Sequence, residues 1–215
     1  MTQPLSYLSD KLPVESVTFS ILRQDELSGS GDGQIWQAQM APPIWQAEIV
    51  LTNVRDDCAR AIRAAVNGLN GSAGDFLLED RACRYPLNDP LGAVVAGASP
   101  VVAAIGANRQ SLGVTGLPAN YKLAAGDKLT VVFGSAVYLG EVSANVTASG
   151  AGAATVPVFP PVPYSAAASS QPVVLVRPYM KARLATGGWT RFTMQRRGSR
   201  YYGFGGAISA VQVVK

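Results

Sequence analysis

The sequence predicts a mainly β fold of about eight to twelve short strands beside one principal helix, and three observations carry that expectation. Short apolar runs are cut throughout by 22 Gly and 14 Pro, the punctuation of strands and turns. Apolar residues fill 48% of the 215 positions and charged residues 15%. A sizeable core is therefore available, since a chain this long buries roughly 70% of the surface its unfolded form exposes. Helical periodicity is sustained in one stretch, near 54–69.

The N-terminal MTQPLSYLSDKLPVES has neither the basic start nor the apolar stretch of a secretory leader, and no run approaches the ~18 apolar residues of a membrane span. A protein folded in the cytoplasm with no membrane partner is expected. Val17, Phe19 and Ile21 alternate with Ser16, Thr18 and Ser20, the period of a half-buried strand. SGSGDG at 28–33 is a loop, because it lacks the Lys-Ser/Thr of a phosphate-binding loop and opens no helix.

IWQAQMAPPIWQAEIVL, at 35–51, holds Ile-Trp-Gln-Ala twice. A chain reversal around Pro42-Pro43 would pair Met40 with Trp45, Ala38 with Ala47 and Trp36 with Ile49 on one face, leaving Gln37, Gln39, Gln46 and Glu48 on the other. Proline forbids the φ > 0 of a tight hairpin turn, so a wider turn, or a strand bending at the prolines to cross between sheets, is expected. In both cases Trp36 and Trp45 are expected in the core.

The helix near 54–69 has Asn53 as a cap and Asp56 in its first turn, and Asn67-Gly68 and Asn70-Gly71 stop it. Val54, Cys58, Ile62, Ala65, Val66 and Leu69 form its inward face, with Arg55, Asp57, Arg60, Arg63 and Asn67 largely opposite. GDFLLEDRACRYPLNDP then reads as a strand entering a Pro-rich turn, and 92–107 as a linker or an edge strand. From 108 to 142 Gly-Leu-Pro and AAGD turns separate strands of a meander, and short strands with a proline-rich excursion lead to the closing RYYGFGGAISAVQVVK.

The chain has no histidine, which removes the commonest general base and metal ligand and the Ser-His and Cys-His nucleophile pairs. The acid pairs Asp25-Glu26, Asp56-Asp57 and Glu79-Asp80 are adjacent in sequence, so their carboxylates diverge on a helix or strand. Cys58 and Cys83 are expected as free thiols, Cys58 packed inside, and two thiols without histidine make a poor zinc site. The expectation is therefore no enzyme, with no catalytic, cofactor-binding or metal-binding residues.

Charge is divided along the chain. Up to Glu141 there are ten Lys/Arg against fourteen Asp/Glu; beyond it there are eight Lys/Arg and no acid. MQRRGSRYYGFGG, at 194–206, sits in the basic part, and Arg191, Arg196, Arg197, Arg200, Tyr201 and Tyr202 are the candidate subunit-interface residues, Arg and Tyr being enriched at such interfaces. The same residues suit stacking and phosphate contacts with nucleic acid. Trp189, Tyr201 and Tyr202 would equally serve a carbohydrate-binding module.

GQIWQAQMAPPIWQAEIVL before a helix, GDFLLEDRACRYPLNDPLG after it, NRQSLGVTGLPANYKLAAGDKLTVVFGS and a terminal GGAISAVQVV together resemble the distal tail and minor tail proteins of long-tailed phages and phage-like elements. The resemblance implies a tail-tube-like β-sandwich with orthogonal sheets and one flanking helix over 1–105. It also implies a second, small β-barrel-like module over 106–215, whose last strand near 205–214 is free to return to the first sheet. It implies a virion structural protein of the tail tip, made in the host cytoplasm and assembled as a homo-oligomeric ring, usually a hexamer. Such a ring joins the tail tube and tape measure to the baseplate hub, with DNA crossing the lumen without specific binding. Identical subunits in a ring meet through different surfaces, which an acidic front and a basic tail would suit.

Overall fold

The computed structural model describes residues 2–214 except 30, 32 and 167–169. In chain order, β1 (Val14–Gly29), β2 (Ile35–Leu51) and β3 (Val54–Arg55) lead into helix α1 (Asp56–Gly68) and β4 (Phe76–Glu79). Then come β5 (Val101–Ile105), β6 (Ser111–Thr115), β7 (Lys122–Leu123), β8 (Lys128–Phe133), β9 (Ala136–Val142), β10 (Val146–Thr147), β11 (Ala154–Phe159) and β12 (Val173–Val174). The chain closes with β13 (Tyr179–Thr190), β14 (Thr193–Arg197), β15 (Arg200–Phe204) and β16 (Ala207–Gln212). The protein is mainly β, a sandwich-like module with one flanking helix and a second, small barrel-like module.

The main sheet runs β1-β2-β16-β13-β4, every neighbour antiparallel. Its inner face supplies Trp45, Ala47, Ile49, Phe76, Leu78, Met180 and Ile208 to a core shared with Leu8 and Leu12 and with Ile62, Ala65 and Val66 of α1. A three-stranded sheet, β14-β15-β3, packs against the helix through β15 and β3. The second module is a six-stranded sheet, β12-β8-β9-β11-β6-β5. A bridge between Val101 and Pro172 brings its two edges together, and Val102, Leu112, Leu129, Val131 and Val156 fill its interior.

The strand pairing divides the chain differently from the boundary at 105/106. β5 ends at Ile105 and pairs with β6 in the barrel, whereas β13 and β16 lie in the main sheet. The barrel is thus an insertion between β4 and β13, two strands that are hydrogen-bonded to each other. The stretch 92–107 contributes β5, a strand with two neighbours once the barrel edges meet.

Four local expectations are corrected. β2 does not reverse at Pro42-Pro43; it continues through them and pairs with β1 from Val14↔Leu51 to Gly29↔Ile35, the register shifting between Leu22 and Asp25 opposite the prolines. The extra residues lie in β2, where Pro42 and Pro43 stand opposite Arg23 alone and Met40 has no partner, so β2 bulges and the ladder resumes beyond two residues that donate no N–H. Trp36, expected in the core, is 66% exposed, and its strand neighbour across the ladder is Ser28. The helix starts at Asp56 with no side-chain cap, because Val54 and Arg55 pair with Gly203 and Tyr202 of β15. Cys58, expected inside, is exposed, and Ala59 takes the inward position. The loop at 28–33 is entered at Gly29; Ser30 and Asp32 fall outside the described residues.

Charged side chains bind the two modules into one frame. Glu79, its side chain wholly buried, accepts hydrogen bonds of 2.6 Å from both Arg84 and Arg177, one on each connection between the modules. Burial alone would push the Glu79 carboxyl up, but the hydrogen bonds and charges of Arg177 and Arg84 outweigh it and hold the group below the usual carboxylate range. Lys128 of β8 donates to Asp80 at 2.5 Å, and its Nζ lies 4.4 Å from the Trp45 ring and 4.5 Å from that of Phe19. The Trp45 indole N–H donates to the carbonyl of Leu139 in β9 at 2.8 Å. A buried cation needs such partners, since desolvation is otherwise costly.

Candidate functional site

Two surfaces of differing chemistry lie at opposite ends of the main sheet. One is the distal part of the β1–β2 ribbon. β16 accompanies β2 only from Val50 to Gln46, and the second module still covers Trp45 and reaches Pro42-Pro43; further out, the described residues of β2 from Ile35 to Met40 are all exposed. Leu27, Ile35, Trp36 and Met40 are all exposed on it. Residues 24–41 include Asp25, Glu26 and Asp32 and no Lys or Arg. Glu26 pairs with Ala38, on the ribbon face that also carries Trp36, and Gln37 holds Asp25 by a hydrogen bond of 2.7 Å.

The other surface is built by α1 and the β14–β15 hairpin. Gly203 lets the hairpin approach the helix: a Cβ there would stand 2.9 Å from Phe192 and 3.2 Å from the Ala59 side chain. The resulting groove, about 460 Å³, is lined by Arg60, Arg63 and Arg191 and by Trp189, Phe192 and Tyr201, with Met194 beside them. Trp189 and Phe192 meet edge to face, ring centroids 5.8 Å apart. The Trp189 indole nitrogen is buried and meets no acceptor among the described residues. Such an orphaned donor carries a cost that a partner would remove.

Arg60 is engaged by Asp56 at 2.8 Å, whose hydrogen bond raises its pKa above the ordinary arginine value. Among the described residues, Arg63 and Arg191, like Arg196, Arg197 and Arg200, pair with no carboxylate. Of the six sequence-predicted interface residues, Arg191 and Tyr201 line the groove. Arg196, Arg197 and Arg200 are exposed nearer the hairpin turn, where Arg196 donates to the Gly198 carbonyl and Arg197 stacks on Phe204 at 4.9 Å. Tyr202 is half-buried and pairs with Arg55. Sequence reasoning missed the part played by Arg60, Arg63, Phe192 and Met194. The signal available was the row of arginines on the wet face of the helix.

A larger apolar groove of about 690 Å³ lies at the root of the ribbon, between Met40, Pro42 and Pro43 and the segment Pro160–Tyr164. Its cation, Arg109, already donates to the carbonyls of Pro163 and Ala166 and lies over the Tyr164 ring. Few polar groups remain there to orient a ligand.

No protein-family model and no curated protein sequence matches the chain. Among the described residues, no helix is long and apolar enough to cross a membrane, and no three His, Cys, Asp or Glu gather as a metal site.

Proposed function

We propose that the protein is a virion structural component, a distal-tail-like subunit that assembles head to tail into a ring between the tail tube and baseplate hub of a phage or phage-like element. The observation that carries this reading is the placement of two complementary surfaces at opposite ends of one sheet, the acidic apolar ribbon and the arginine-rich groove. Surfaces that differ in this way generate heterologous contacts, which close into rings when the rotation between copies allows. The ionic bracing between modules supports the same role, because it holds both surfaces in a fixed relation.

Sedimentation over rising protein concentration, with negative-stain microscopy of the largest species, tests this. Closed rings of a fixed copy number are expected, and a chain that stays monomeric throughout the range overturns the reading. A second reading, nucleic-acid binding, is favoured by the unpaired arginines beside Tyr201, and predicts retention of oligonucleotides that falls steeply with salt.

A further inference from the structure

The ribbon and the groove cannot meet within one copy. From Trp36 to Ile49, which faces Ile208 and through it Trp189, the strand covers roughly 40 Å at ~3.3 Å per residue. Each surface therefore needs an occupant from outside the molecule. The ribbon presents Trp36 and Met40 with Glu26 on the same face and Asp25 on the other. The groove presents aromatic walls and two arginines that, among the described residues, have no carboxylate partners.

We propose that the distal ribbon of one copy seats in the groove between α1 and the β14–β15 hairpin of the next, so that the protein supplies its own partner. The proposal rests on the ring reading and names the two surfaces that would make the ring. Trp36 enters among Phe192, Met194 and Tyr201, where it loses its water and adds to an existing edge-to-face pair. Glu26, on the same face as Trp36, comes to Arg63 and Arg191, whose planar guanidinium groups suit carboxylates, while Asp25 on the other face adds to the ribbon's negative field. The occupant is a second copy rather than a generic acidic peptide because the ribbon's exposed apolar residues are themselves uncovered. One contact satisfies both surfaces.

Two single-cysteine proteins in a background with Cys58→Ser and Cys83→Ser, the two native free thiols, test this: Ala38→Cys on the ribbon and Met194→Cys on the groove wall. When mixed under mild oxidation they are expected to form a disulfide-linked heterodimer faster than either forms a homodimer. Charge reversal with Arg63→Glu and Arg191→Glu is expected to weaken self-association by about tenfold or more. Asp25→Lys with Glu26→Lys in a mixed partner should restore part of it, which a merely misfolded variant would not allow. Thermal melts of each variant check folding.

Oligomers that persist without the cross-link and without response to charge reversal overturn the groove assignment and leave the ring reading standing. Wild-type protein that never associates overturns both. Oligo(dT) retention that is abolished by the arginine reversals, with self-association unchanged, assigns the groove to nucleic acid and overturns the proposal.

Discussion

The tetrapeptide Ile-Trp-Gln-Ala occurs twice in β2, and its two tryptophans meet opposite fates: Trp36 is 66% exposed and Trp45 2%. Local sequence is the same, so the difference comes from what surrounds each copy. Around Trp45, β1 lies on one side and the start of the β16 pairing on the other; Phe19 sits edge to face at 6.3 Å, Lys128 stands over the ring and Leu139 accepts its N–H. Around Trp36, among the described residues, the paired neighbour is β1, with Ser28 opposite. The same motif thus serves as a core anchor where three layers meet and as an uncovered contact where two strands project alone.

The strongest way to break this comparison is to truncate each ring. Trp45→Ala is expected to destabilise the fold by about 3–5 kcal/mol, the transfer and cavity cost of a large buried aromatic, while Trp36→Ala should stay within about 0.5 kcal/mol. Urea denaturation of the two variants measures both. Similar losses for the pair would mean that the ribbon is packed in the isolated chain.

Next in size is the support beneath Trp45. Lys128→Met removes the cation from Asp80, a carboxylate only 4% exposed, and leaves a buried charge uncompensated at roughly 3 kcal/mol. Restoring neutrality with Asp80→Asn in the same chain should recover part of that loss, because the penalty lies in the unpaired charge. A double variant no better than Lys128→Met would place the cost in the lost packing of the lysine stem on Trp45 and Phe19 instead.

The acid limb of stability belongs to the same buried region. Glu79 is held below its ordinary value of 4.5 in the folded protein, and Asp75 is likewise lowered: burial opposes this, and Arg183 and Lys181 overcome it. The unfolded chain therefore binds protons first as pH falls. The stability these groups contribute is fully present above about pH 4.5 and is lost as pH drops toward their folded values. Glu79→Gln should flatten the fall of denaturation midpoint with pH in that window; an unchanged slope would assign acid lability to other groups.

How much of this was legible in sequence follows from the range of the interactions. The mainly β class, the position of the helix to within two residues and the inward place of Trp45 rest on local periodicity and turn residues, which one sequence displays. The continuation of β2 through Pro42-Pro43 depends on β1, some twenty positions earlier, running alongside while β2 bulges at the prolines and Met40, and the local sequence does not show that such a partner is there. The burial of Trp36 was misread for the same reason, because alternation shows which side chains share a face and not whether anything covers that face. The arginines of the hairpin were visible as a basic cluster. The convergence of Arg191, just before the hairpin, with Arg60 and Arg63 accompanies the pairing of β3 with β15, a contact across nearly 150 positions.

The smallest effect is spectroscopic, and it follows the two tryptophans directly. An indole in water emits at longer wavelength and meets a neutral quencher such as acrylamide freely, whereas one packed under Lys128 and Phe19 does not. Trp36→Phe is thus expected to remove the red, quenchable part of the emission, and Trp45→Phe the blue, protected part. Acrylamide is the suitable probe, because the acids beside Trp36 would repel iodide. As protein concentration rises, the quenchable fraction should shrink if Trp36 passes from water into the groove of a neighbouring copy. Because Trp189 lines that groove, the titration is best run with Trp189→Phe, so that the loss of quenching is read from Trp36 alone. A quenchable fraction that stays constant while oligomers form would show that association leaves the ribbon in solvent, and the exposed copy of the motif would then need another partner.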